Sequence, residues 1–319
     1  VTRVQRRVRR LAHSLLATCL VLAGCATAQR DATPPVQSYP VDAGAVAQPA
    51  GRHDGRLRLM TLNIAHGRGA GFHQLLQRTT TTLANLDHIA TLLRHSGADV
   101  VALQETDGPS FWSGNFSHLD YLARNGAYHR AVHGAHVHGL GLSYGTALMA
   151  RFDLREPRAI TFDPALSPVP KGFVVSTIDW PARPGVEVDV VSLHLDFSSE
   201  VTRRQQAQEV IRVLQDSPRP RIIMGDFNIG WHAHSTVRRI CQALGLTAYR
   251  PEAPGLETFP AFGERLDWIL ISPGIAFRSY RVIPDSVSDH RGVLAELELL
   301  YDPPTRVARH GSGAWRSRE

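Results

Sequence analysis

The sequence predicts one α/β domain of mixed strand order over residues 56–300. Three observations carry that prediction. Short apolar or alternating runs, which read as strands, outnumber stretches of helical periodicity. The two signals come in mixed order along the chain, and no internal repeat is visible.

The elements follow in order. Leu57 to Leu62 alternates and reads as a strand ending at Asn63. Residues 75–95 carry a helical stripe of Leu83, Leu86, Ile89, Ala90 and Leu93, stopped by Gly97. Val100 to Leu103 is a continuous apolar run that suits a buried strand. Residues 106–143 are rich in glycine, histidine and asparagine and read as a long functional loop. Ala147–Ala150, Val174–Trp180 and Val186–Leu193 read as further strands. Ser198 is positioned to cap a helix over 200–215, with Ala207, Val210, Ile211 and Leu214 on one face. Arg221–Met224 is a strand and a helix follows near 234–244. Leu266–Ile271, Ile275–Val282 and Val293–Leu299 complete the set.

The termini differ from this body. Five arginines precede an apolar stretch from Leu11 to Leu22, a signal-peptide pattern over residues 1–24. Leu22-Ala23-Gly24-Cys25 then resembles a bacterial lipobox, which implies cleavage before Cys25, acylation of its thiol, and a place in the cell envelope outside the cytoplasm. The membrane is therefore an expected partner through that anchor. Residues 25–55 are rich in Ala, Pro, Gly and Gln and read as a flexible linker, roughly 30 Å in r.m.s. span. Residues 301–319 are polar and basic and read as a disordered tail.

Charge and cysteine content exclude several classes. The chain carries a formal +6, but the arginines at its ends account for it, leaving 26 basic and 27 acidic residues between 25 and 300. No general nucleic-acid footprint follows from that balance. Cys19 and Cys25 lie in the leader, so Cys241 is alone in the body, and a disulfide framework or cysteine zinc site is excluded. His129, His133, His136 and His138 are irregularly spaced without an acid or cysteine beside them, which argues against zinc. They are expected to line the loop at a site mouth, with His66 and Arg68 near the same rim. Trp112, Asn115 and Phe116 are candidates for substrate contact, or for packing within the loop.

The polar residues of interest fall at strand ends. Asn63, Gln104-Glu105, His194, Asp226 with Asn228, Asp267 and Asp289-His290 each end or open a predicted strand. Buried strands that end in carboxylates and amides need a cation or substrate to compensate them. Hard oxygen donors of this kind suit Mg2+ or Mn2+.

Six segments then carry a resemblance. Thr61-Leu62-Asn63, Leu103-Gln104-Glu105, Ser192-Leu193-His194, Gly225-Asp226-Phe227-Asn228, Arg265-Leu266-Asp267 and Ser288-Asp289-His290 resemble, in order, the motifs of the endonuclease/exonuclease/phosphatase superfamily. That resemblance implies a four-layer sandwich, two mixed β-sheets packed face to face with helices outside. It also implies a metal-dependent phosphoester hydrolase acting through an activated water. By motif, Glu105 is the main metal carboxylate, with Asn63 beside it and Asp289 completing the set. Asp226 and Asn228 position the water and a phosphate oxygen. His290, paired with Asp267, acts as general base or stabilises the phosphate charge, and His194 contacts the phosphate from the other side. Where the family has a Ser-Arg pair, this chain has Ala150-Arg151, which leaves the role of Arg151 open. A nuclease and a lipid-headgroup phosphodiesterase both fit. A different class, a non-catalytic surface lipoprotein that keeps the fold for binding, has no need of the full motif set.

Overall fold

Strand alternation decides how this chain layers, because most strands are apolar on both faces. In the computed structural model, which describes residues 36–42, 54–69, 71, 73–163 and 169–300, that demand is met by two stacked sheets with helices outside each. The first half runs β1 (Val36–Pro40), β2 (Leu57–Asn63), α1 (Thr79–Ser96), β3 (Val100–Asp107), α2 (His118–Gly126), β4 (Arg130–Gly139) and β5 (Leu142–Ala150). The second runs β6 (Arg155–Thr161), β7 (Gly172–Trp180), β8 (Arg183–His194), α3 (Glu200–Leu214), β9 (Arg221–Asp226) and α4 (Thr236–Leu244). It finishes with β10 (Thr247–Ala248), β11 (Asp267–Ile271), β12 (Ile275–Val282) and β13 (Val293–Leu299).

One sheet has seven strands in the order β1-β4-β5-β3-β2-β13-β12, the other six in the order β10-β11-β9-β8-β7-β6. Both are mixed. Only β2–β3 and β8–β9 pair in parallel, and each parallel pair is bridged by a crossover helix, α1 or α3. The two parallel pairs lie near the middle of their sheets and end at the same end of the sandwich.

Three apolar layers hold this together. Leu57, Leu59, Val100, Ala102, Val188, Val190, Ile222 and Met224 face the space between the sheets. Their strand neighbours Met60, Leu62, Val101 and Leu103 face α1 and α2. Val191, Leu193 and Ile223 face α3 and α4. A period of two thus places successive residues of one strand in different layers, which is why these strands read as continuous apolar runs.

Several expectations change. Val36–Pro40, inside the range read as a linker, forms an edge strand on β4, and Tyr39 and Val41 pack on the α1/α2 layer. Residues 106–143 hold α2 and β4 rather than one long loop. The helix cap is Ser199, whose hydroxyl accepts from Thr202 N. Gly97 does end α1, with a left-handed φ of 63°. The strands β6 and β10 are not expected from the sequence pattern. No helix among the described residues is long and apolar enough to cross a membrane. The leader, Cys25 and the tail 301–319 lie outside the described residues.

Candidate active site

The inner faces of five strands share one pattern. Leu57 and Leu59 lead to Thr61 and Asn63, and Val100 and Ala102 lead to Gln104. Val188 and Val190 lead to Ser192 and His194, Ile222 and Met224 to Asp226, and Ile271 and Ile269 to Asp267. The apolar layer between the sheets therefore turns polar at one end. Register aligns the transition: Asn63 pairs with Gln104, His194 with Asp226, and Asp226 with Asp267. Gln104 and Ser192 join the two sheets there, Gln104 Nε2 donating to Ser192 Oγ at 3.0 Å.

Glu105 breaks the alternation, and its backbone shows how it is aimed. The β3–β5 register shifts between Leu103 and Thr106, and Glu105 has a φ of 52°. Such a bulge re-aims a side chain at some cost in backbone strain. Glu105 consequently meets His66 Nε2 at 3.6 Å and His194 Nε2 at 4.0 Å. Before Asp226, Gly225 adopts a φ of 150°, and a Cβ there would lie 1.9 Å from Leu193 O. Only glycine lets β9 approach β8 that closely.

Asp226 is the hub. Its Oδ2 accepts from Asn63 Nδ2 at 3.1 Å and Asn228 Nδ2 at 3.3 Å. The same oxygen lies 3.4 Å from His194 Nε2 and 3.7 Å from His290 Nε2. Its Oδ1 accepts from Asn228 N at 2.8 Å. Burial pushes the Asp226 carboxyl up, but His290, His194 and Lys171 outweigh it and hold the group well below the usual range. His290 Nδ1 is bound to Asp267 Oδ2 at 2.8 Å. Burial disfavours the imidazolium, yet Asp267 and Asp226 raise the His290 pKa to about 10. Asp267 itself is raised, chiefly by burial. For Glu105, burial is overcome by His66, Lys171 and His194, which hold its carboxyl near about 2.

The structure also places groups that the sequence reading missed. Lys171, just before β7, puts Nζ 2.5 Å from His194 Nε2, because Gly172 pairs with His194. Burial lowers its pKa, opposed by Glu105 and Asp226. A lone lysine before a strand gives no sequence signal. A second imidazole–carboxylate pair stands beyond Glu105, with His66 Nδ1 2.6 Å from Asp107 Oδ1. Trp112 Nε1 donates to the other Asp107 oxygen at 2.9 Å, and the Trp112 and Tyr144 rings pack on His66. Trp112 thus forms a wall of the site, whereas Phe116 packs with the helices.

His133 and His136 of β4 do not line the mouth, whereas His138 is exposed beside the β4–β5 hairpin. His133 Nε2 meets Thr106 O at 3.1 Å, and His136 sits between the hydroxyls of Thr161 and Thr146, both residues buried. Arg151 is structural: its guanidinium donates to Ala98 O and Ala127 O and covers the Tyr128 ring.

The three residues expected to hold a metal each engage a different partner. Glu105 faces His66 and His194, Asn63 donates to Asp226 while its Oδ1 accepts from Ala65 N, and Asp289 is ion-paired with Arg68. The tightest ligand group among the described residues is Asp226, Asp267 and His290, all buried, with ligand atoms within 4.8 Å of one another. Oxygen-rich donors with one imidazole suit a hard divalent cation. Neighbouring carboxylates raise the pKa of His290 and of His66, so these two imidazoles carry part of the positive charge that the acids attract.

These features, the two-sheet sandwich and the ordered strand-end residues, coincide with a family match over residues 60–290. The chain belongs to the endonuclease/exonuclease/phosphatase family. Members of this family are hydrolases that act on phosphoesters and generally use a divalent metal. Solved structures agree on the fold. An endonuclease/exonuclease/phosphatase of Beutenbergia cavernae is 19% identical with a TM-score of 0.61, covering 78% of this chain and 73% of that one. One from Bacteroides vulgatus is 19% identical with a TM-score of 0.59, covering 76% and 99%. A mannosyl-6-phosphatase of Bacteroides thetaiotaomicron is 18% identical with a TM-score of 0.55, covering 76% and 99%. No curated protein sequence matches the chain.

Proposed function

We propose that this family member is an envelope lipoprotein, acylated at Cys25, that hydrolyses phosphoesters with Mg2+ or Mn2+. The observation that carries the catalytic reading is the convergence of Asn63, His194, Asp226, Asp267 and His290 at one end of the inter-sheet layer, with Glu105 bulged toward them. A binding protein gains nothing from burying so many ionisable groups, each of which costs free energy.

The chain's own residues divide the work. Asp226, held ionised and oriented by Asn63 and Asn228, accepts a proton from the attacking water. The water oxygen bonds to phosphorus as the ester P–O bond breaks, and the departing oxygen is protonated from solvent or from His290. His290 is kept cationic by Asp267 and faces the developing phosphate charge, with His194 and Lys171 opposite. Glu105, with Asn63 or Asp289, would hold the cation; the Asp226-Asp267-His290 group would hold one only with His290 neutral, a state that its charge-stabilising role does not use. A bound divalent ion supplies Lewis-acid stabilisation of phosphate charge.

The test uses bis-p-nitrophenyl phosphate. Turnover should require Mg2+ or Mn2+, vanish in EDTA and return on metal addition. Glu105→Ala should lower it by at least roughly a hundredfold. Full turnover in EDTA would refute the metal-dependent mechanism.

A further inference from the structure

The end of the sandwich that holds the site is also where apolar surface is exposed. Nine large apolar side chains are exposed among the described residues, and six of them sit on loops at this end. Leu75 and Leu76 precede α1, Phe111 follows β3, and Leu140 tips the β4–β5 hairpin. Phe197 follows β8, and Phe262 stacks on Phe259, whose ring lies 4.9 Å from His290. The contacts tie them to one rim. Phe111 N donates to Gly141 O beside Leu140, and the Phe197 ring lies 5.7 Å from Lys171 Nζ. Scattered exposed apolar residues are ordinary, but a ring of them around a polar mouth marks an interaction surface.

We propose that this rim docks on a phospholipid bilayer, so that the site receives a phosphoester carried at the lipid–water interface. The inference rests on the phosphoesterase reading above and names the substrate class of that same site. Three observations select a bilayer. Half of the rim is aliphatic, and Leu75, Leu76 and Leu140 offer no ring on which a nucleobase could stack. The side chains stand on five separate loops, which suits insertion into a fluid plane better than a groove for one chain. The third is the path of the polypeptide. Val36 pairs with Gly134 and Pro40 with Arg130, while β4 continues past Gly134 to the hairpin that carries Leu140. The Val36 end of β1 therefore lies on the rim side. Ten residues lie between Cys25 and Val36, eleven Cα–Cα steps, a reach of at most about 40 Å. An acyl group on Cys25 and the rim can meet one bilayer together. Apolar groups seated this way reach roughly 5–10 Å into the headgroup boundary. A headgroup phosphate then comes to Lys171 and His194 from the Phe197 side.

The experiment uses the full chain carrying Cys25→Ser, so that no acyl group contributes. Binding to vesicles of phosphatidylethanolamine and phosphatidylglycerol is measured by cosedimentation, beside hydrolysis of bis-p-nitrophenyl phosphate. The Cys25→Ser chain should bind vesicles. Adding Phe111→Ser, Leu140→Ser and Phe262→Ser together should weaken binding at least tenfold, whereas Leu300→Ser, at the opposite end, should not. Brominated acyl chains should quench tryptophan fluorescence of the unsubstituted rim, and Trp112→Phe should remove that quenching. The quenching reports docking even if the triple variant fails to fold. Absence of vesicle binding, or equal loss with Leu300→Ser, overturns the proposal. So does a rim whose substitution weakens a single-stranded oligonucleotide instead of vesicles. Loss of soluble diester hydrolysis with vesicle binding intact would sink the phosphoesterase reading and leave the docking surface standing.

Discussion

The two ends of the sandwich use the same residue types to different effect. At the site end, Glu105, Asp226, Asp267, His194 and His290 are crowded into a pocket at the end of the inter-sheet layer, where proximity and burial shift their protonation. At the opposite end, Arg155 is paired with Asp179 and Glu187, and Arg219 with Glu187 and Glu156. Those side chains are part-exposed, their charges nearly balance, and water screens what remains. Beside the site, at the level of Leu103 and Thr106, His133 and His136 are as buried as His290 but face a carbonyl and hydroxyls, not carboxylates. Their pKa values fall where that of His290 rises. Burial alone does not make a functional histidine; the charge of its partner does.

The largest test of that contrast is at the site end. His290→Ala should lower turnover of a soluble phosphodiester by at least roughly a hundredfold, about 2.7 kcal/mol in the barrier. Asp267→Ala should cost a comparable amount, since Asp267 is what keeps His290 oriented and charged. The double variant should lose little more than either one alone. Additive losses would show two groups acting independently and would break the pairing.

A middle-sized effect comes from His136. Burial holds its folded pKa near about 3, against an ordinary value of 6.5. The unfolded chain therefore takes up a proton that the fold refuses. Its contribution is complete above the unfolded value and is lost as pH falls from there toward the folded one. The slope is about 1.4 kcal/mol per pH unit for one proton. His136→Gln, which can still bond both threonines, should flatten urea-measured stability by that amount per unit between about pH 6 and 4. An unchanged slope would mean that His136 is not neutral in the fold.

Much of this was legible in sequence because strand periodicity is simple. Asn63, Gln104, His194 and Asp226 follow apolar residues of the same parity and Asp267 precedes them on an antiparallel strand, so one rule points them to one end. Glu105 escaped that rule, since its bulge depends on β5 pairing. Lys171 was hidden for the same reason: only the pairing of Gly172 with His194 gives it a role. The β4 segment is not legible as a strand because Ala131, Gly134 and Ala135 supply little apolar contrast, so the alternation that buries His133 and His136 has no visible signature. β1 resembles linker in sequence because its five residues end in a proline and only Tyr39, with Val41 just beyond, supplies packing groups.

The smallest effect should come from the far end. Arg219 donates to Glu187 at 2.8 Å and Glu156 at 2.9 Å, and lies 3.6 Å from Asp189. Removing it in Arg219→Ala does not orphan Asp189, whose oxygens also accept from Thr177 and Ser217. The loss should therefore match an exposed ion pair, roughly 0.2–1 kcal/mol. It should shrink further at about 1 M salt, where the screening length is about 3 Å. Turnover should not change, because among the described residues the ion pairs of Arg219 run only to Glu156, Glu187 and Asp189, away from the site. The check is a denaturation midpoint at low and high salt beside one kinetic assay. A tenfold fall in turnover, with the midpoint within about 1 kcal/mol of its starting value, would show that charge at the far end reaches the catalytic groups. The two ends would then have to be treated as one electrostatic unit, and the apolar layer between them as a conductor of strain rather than an insulator.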